Sequence, residues 1–80
     1  MEKLLKMIWD FRGPDAYKTA EHHEIHLKQY MEKENISGTT GIIEESELHT
    51  FAFMIIAEQD MIKVRDELRP HRATWHQENN

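Results

Sequence analysis

An α+β fold, with one antiparallel sheet and two helices on one of its faces, is what this 80-residue sequence predicts. Three observations carry the prediction. Leu4–Phe11 and Leu48–Ala57 are apolar runs of strand length. Two stretches, one opening near Pro14 and one ending at Pro70, repeat apolar residues three and four apart, as helices do. Along the chain these segments follow the order β-α-β-β-α, with room for a short last strand.

Leu4-Leu-Lys-Met-Ile-Trp-Asp-Phe11 is apolar except for Lys6 and Asp10, which fall on the same alternate face as Leu4 and Ile8. Arg12-Gly13-Pro14-Asp15 breaks this strand. Proline beside aspartate suits the start of a helix, because the N–H that proline lacks is one the first turn leaves unpaired anyway. The helix is expected to run to about Glu34, burying Ala16, Ala20, His23, Leu27, Tyr30 and Met31. Asn35 and Gly38 are the expected terminators. A short strand, about Thr40 to Glu44, then turns through Glu45-Ser-Glu47 into Leu48–Ala57. That segment is apolar on both alternate faces, which places it mid-sheet and covered above and below. A second helix is expected over about Asp60 to Arg69, burying Met61, Val64 and Leu68, and Pro70 stops it. The tail supplies a last strand around Ala73 to His76, making residues 1–76 one domain, and residues 77–80 are expected to fray. This order is the ferredoxin-like pattern, whose first and third strands lie in the middle of the sheet. They are also the two most apolar strands here.

Composition narrows the possible functions. The absence of cysteine excludes disulfides, thiolate metal sites and a cysteine nucleophile. No run approaches the ~18 apolar residues that span a bilayer, and no leader-like segment is evident, so a cytoplasmic protein is expected. The formal charge is −5, with Lys and Arg scattered, which argues against nucleic acid as a partner. Protonating all six histidines would move that charge to +1, so mild acid should lower solubility. Two helices cover only one side of a four-stranded sheet. The other side would expose half of each central strand, more than the few hundred Å² that monomers usually show. A homodimer through the sheet faces follows as an expectation.

His23-Glu-Ile-His-Leu27 on the first helix, Tyr30 after it, and Gly38 to Gly41 before the second strand carry a resemblance over about residues 3 to 70. The chain resembles the dimeric α/β-barrel superfamily and, within it, the YCII-related proteins. That resemblance implies a ligand pocket between helices and sheet or inside the barrel. It also implies cofactor-free acid–base chemistry, of an isomerase or lyase kind, on a small organic molecule. A histidine paired with an acidic residue would form the site, His23 or His26 being the histidine and Asp10 the acid. Where such proteins carry Asp-Pro after the second helix, this chain has Arg69-Pro70-His71.

The residues themselves allow three kinds of chemistry. Acid–base catalysis would use His23, which lies on the apolar stripe, or His26, with Arg12 attracting an anion and Tyr30 and His49 contacting a ligand. A buried, neutral, purely structural His23 is the alternative, in a dimer that binds a ligand or partner without catalysis. Metal binding would use His22 and His26, four apart on one side of the helix. The zinc-protease motif fails in both registers, so a third ligand such as His49 or Glu44 would be needed. Lys6 and Asp10 either line a pocket or are solvated strand charges, and Arg12 either binds an anion or pairs with Asp15. His49 shares a face with Phe51, Phe53 and Ile55. Trp75 is expected at a dimer or capping contact, and Met7, Met31, Met54 and Met61 in packing. Gly38-Thr-Thr-Gly41 lacks the Lys-Ser/Thr of a phosphate loop, and no nucleophile elbow is present.

Overall fold

The alternating apolar pattern of the two longest strand segments sets the architecture. A computed structural model describes residues 3–77. Its elements are β1 (Leu4–Arg12), α1 (Ala16–Glu34), β2 (Gly38–Ser46), β3 (His49–Ala57), a 3₁₀ turn (Glu58–Asp60), α2 (Met61–Leu68) and β4 (Arg72–His76). The strands form one sheet in the order β2-β3-β1-β4, with every neighbouring pair antiparallel. This α+β arrangement is compatible with the ferredoxin-like pattern, and the two most apolar strands are the interior ones. The frayed-tail expectation for residues 77–80 falls, beyond Gln77, outside the described residues. Among the described residues no helix is long and apolar enough to cross a membrane.

Pairing of β1 with β3 runs from Leu4 opposite Ala57 to Arg12 opposite His49. Side chains alternate along a strand, so Leu5, Met7 and Trp9 share one face with Ala52, Met54 and Ile56. Leu27 and Met31 of α1 and Val64 of α2 complete the core there, which places both helices on this face. Met7, Leu27, Met54, Ile56 and Val64 are almost wholly buried. Each contributes on the order of 1.5–3 kcal/mol of transfer free energy. The expected stripe of α1 is the one buried, except that His23 and Tyr30 are only half-buried.

The helix ends follow local chemistry. Asn35 closes α1 in the left-handed conformation, φ 56°, and Ile36 N–H donates to Met31 O at 2.9 Å. At the end of α2, Arg69 takes a similar conformation, φ 48°, and its N–H donates to Arg65 O at 3.0 Å. A non-glycine residue there costs roughly 1–2 kcal/mol. Pro70 keeps the helix from continuing, having no N–H with which to extend it. Trp9 of β1 donates its indole N–H to Leu68 O at 2.9 Å, tying the last turn of α2 to the sheet.

Two details differ from expectation. β2 is longer than Thr40 to Glu44 because β3 offers a full-length template. A bulge between Glu44 and Ser46 ends their regular pairing, and the turn itself is Glu47-Leu48. Gly38 does not terminate α1. It begins β2, and a Cβ there would collide with the Ile55 carbonyl oxygen and come within 2.9 Å of Met31 Cε. Close approach of two backbones, not a helix stop, is what requires glycine at this position.

Candidate functional site

The face opposite the helices carries the densest polar chemistry. Lys6, Ile8, Asp10 and Arg12 of β1, His49, Phe51, Phe53 and Ile55 of β3, and Arg72 and Thr74 of β4 share it by register. Among the described residues no helix covers it.

Asp10 is the hub. Its Oδ2 accepts from Arg72 Nε at 2.9 Å, and its Oδ1 accepts from Arg72 Nη2 at 3.0 Å and lies 2.8 Å from His49 Nε2. Hydrogen bonds from Arg72 hold the carboxyl at about 2, against an ordinary 3.8. Burial opposes that shift, and the His49 bond adds to it. An ionised carboxylate only accepts hydrogen bonds, so His49 Nε2 carries a proton and donates it to Asp10 Oδ1. Around this hub the aromatic rings carry cations. Lys6 Nζ lies 4.6 Å from the Phe53 ring centre and 5.9 Å from that of Phe51, and the Arg72 guanidinium lies 5.3 Å from Phe51. Phe51 is consequently only 5% exposed on a face without helices.

His71, which the sequence reading did not single out, completes the hub from the loop before β4. Its N–H donates to Ile8 O at 2.9 Å, and its Nδ1 accepts the Asp10 N–H at 2.7 Å. The imidazole thus takes the place of the next carbonyl in the ladder and fixes the Asp10 backbone. Arg72 was missed as well. The sequence signal was that Asp10 interrupts an apolar strand and therefore needs partners, but only the β1–β4 register names them.

His23 lies on the other side of the sheet. Its ring packs 5.2 Å from the Trp9 ring and 5.4 Å from the Phe11 ring, and its buried Nε2 has no hydrogen-bond partner. Burial, helped by the neighbouring His26 and His71, pushes its pKa below 6.5, so it is held neutral. The expected pairing of Asp10 with His23 or His26 is not formed. Residues 10 and 11 of a strand point to opposite faces, and it is Phe11 that meets His23. The acid finds His49 instead, a residue expected from the sequence as a ligand contact or a third metal ligand.

The remaining candidates disperse. His22 and His26 are exposed on α1. Among the described residues no group of three His, Cys, Asp or Glu side chains is placed to hold a metal ion, and His49, one suggested third ligand, is bound to Asp10 across the sheet. Arg12 is exposed at the end of β1. Tyr30 donates its hydroxyl to Glu67 of α2. Burial first and this bond second raise the phenol to about 12. Lys63 bridges Glu34 at 3.0 Å and Glu67 at 3.4 Å, so the Tyr30 cluster staples α1 to α2. Trp75 is exposed on edge strand β4, with Lys3 Nζ 5.5 Å from its ring. Two open surface hollows, one around Arg65 and Arg69 and one around Lys28 and Thr40, are lined by none of the candidate side chains.

No protein-family model matches the chain, and neither does any curated protein or solved structure, so the site is defined by its own geometry.

Proposed function

We propose that two copies appose their open sheet faces, as in a dimeric α/β barrel, and that the enclosed space holds a small organic molecule on which His49 performs cofactor-free acid–base chemistry. The observation that carries this reading is the Asp10–His49 pair, an ionised carboxylate holding an imidazole at 2.8 Å on a face no helix covers. A carboxylate so placed fixes the tautomer and orientation of the ring and stabilises the imidazolium that forms when the ring takes a proton. His49 Nδ1 is the atom that accepts it. Phe53 and Ile55, partly exposed on this face, support the dimer, since a second copy would remove their remaining surface from water; Ile8 and Phe51, expected to be open on this face, are already buried within the protomer.

One observation favours a second reading. Arg72 already neutralises Asp10 through two hydrogen bonds, as in a structural ion pair. A dimer that binds a ligand or partner without catalysis would keep the same contacts.

Sedimentation equilibrium, with NMR detection of solvent deuterium entering a panel of small ketones, keto acids and lactones, separates the two. The acid–base reading expects a dimer whose exchange activity falls at least a hundredfold in His49→Gln while the circular dichroism is unchanged. A dimer with no activity, or with activity that His49→Gln leaves intact, selects the binding reading. A monomer at high concentration overturns the barrel.

A further inference from the structure

We infer that the molecule held on this face is an organic anion with a flat, unsaturated body, seated against Phe53 with its charge on Lys6. The inference rests on the reading above that a second copy encloses the face.

The charges on the face do not balance. Asp10 is shared between Arg72 and His49, and Arg72 spends both Nε and Nη2 on it. Lys6 lies near the middle of β1, half-buried, and among the described residues no carboxylate stands within ion-pair distance of it. Its Nζ rests instead on aromatic surface, 4.6 Å from the centre of Phe53. On an open face water solvates that ammonium. Between two sheets the water is displaced, and an unpaired ammonium is costly to bury, a cost the ring contact offsets only in part. The two-fold axis of such a dimer would bring two copies of Lys6 into the same interface. Glu45, whose charge acts on Arg72, belongs to the bulged and exposed end of β2 at the rim. An anion carried in by the ligand meets the requirement.

The aromatic floor sets the rest of the ligand's chemistry. Gly41 pairs with Phe53 across β2 and β3, and a Cβ at Gly41 would fall 2.5 Å from the ring, so the ring lies over the glycine. Phe51 adjoins it with ring centres 6.5 Å apart. Lys6 and Arg72 cover Phe51, but Phe53 keeps part of its surface, and an anion on Lys6 Nζ rests beside it, where a planar body gains the most contact. His49 stands on the other flank of Phe51, ring centres 6.4 Å apart. Anion cradle and imidazole therefore flank the buried Phe51, and the partly exposed Phe53 beside the cradle suits an aromatic or conjugated carboxylate.

The probes are benzoate, cyclohexanecarboxylate as the non-planar anion, benzylamine as the planar cation, and a short oligouridylate. Each is titrated into the intact protein while NMR follows Lys6 and Phe53, and sedimentation equilibrium reports the dimer. Benzoate is expected to bind saturably, at least threefold tighter than cyclohexanecarboxylate, and to tighten the dimer at least threefold; benzylamine is expected not to bind. Lys6→Met should remove the dependence on benzoate while the dimer persists, and Lys6→Arg should retain it. If Lys6→Met does not fold, the wild-type titrations and Lys6→Arg decide. A dimer indifferent to benzoate, with unmoved Lys6 resonances, overturns the anion and leaves the dimer standing. Tighter binding of the oligouridylate than of benzoate overturns it in favour of single-stranded nucleic acid. A monomer under every condition overturns the enclosed face itself.

Discussion

Replacing Asp10 by Asn keeps the shape of the side chain and removes the charge at the hub of the open face. The native carboxyl is held at about 2 rather than 3.8, chiefly by Arg72. At about 1.36 kcal/mol per tenfold change in acidity, that difference corresponds to about 2.4 kcal/mol. Asp10 itself is largely covered, but the Arg72 side chain is 47% exposed, so water screens its half of the pair. About 1–1.5 kcal/mol is therefore the stability expected from the charge. The unfolded carboxyl binds its proton more tightly than the native one. The contribution is thus fully present above about pH 4 and is lost as pH falls through about 2. Urea unfolding of both proteins across this range reads the effect directly. The Asn variant should be the less stable by that amount at neutral pH, and the gap should close in acid, where the wild-type carboxyl is also uncharged. Equal stabilities at neutral pH, or a gap that persists undiminished near pH 2, would refute the ion-pair argument.

Three further outcomes are expected. His23, buried and held neutral below its ordinary 6.5, protonates more readily once unfolded, so stability should fall as pH drops below that value. His23→Phe should flatten the decline in a pH series of thermal melts, and an unchanged slope would exclude His23 as its source. Gly38→Ala drives a Cβ into the Ile55 carbonyl oxygen, whereas Gly41→Ala meets only the movable Phe53 ring. The first should cost about 2 kcal/mol or more and the second clearly less, and the reverse order in denaturant melts would contradict the register of β2 on β3. Trp9→Phe removes the donor to Leu68 O and should cost about 1–2 kcal/mol. Hydrogen exchange should quicken in the last turn of α2 before it does at the end of α1, and uniform exchange would argue that the indole anchors nothing.

Much of the fold was legible because its causes are local. Alternation at Leu4–Phe11, the three-and-four spacing of Ala16, Ala20, Leu27 and Met31, and the breaks at Asn35 and Pro70 depend on residues within a turn or two of one another. Even the central position of β1 and β3 follows from their being the most apolar strands. Gly38 was misread because a helix-stopping glycine and one needed for close backbone approach look alike without the neighbouring strand. The candidate site was half legible. Asp10 and His49 could each be picked out as polar residues on apolar strands, but their pairing could not.

The sequence by itself determined the element order, the buried stripes and the face to which each strand residue points. Only the tertiary structure decided that Asp10 meets His49 and Arg72 while His23 meets Trp9 and Phe11. Arg72 reaches Asp10 across a separation of 62 residues, and His49 reaches it across 39. Alternation and helical period act over a few residues and fix a side chain's direction; the partner waiting in that direction is set by strand register, a product of the whole sheet's packing.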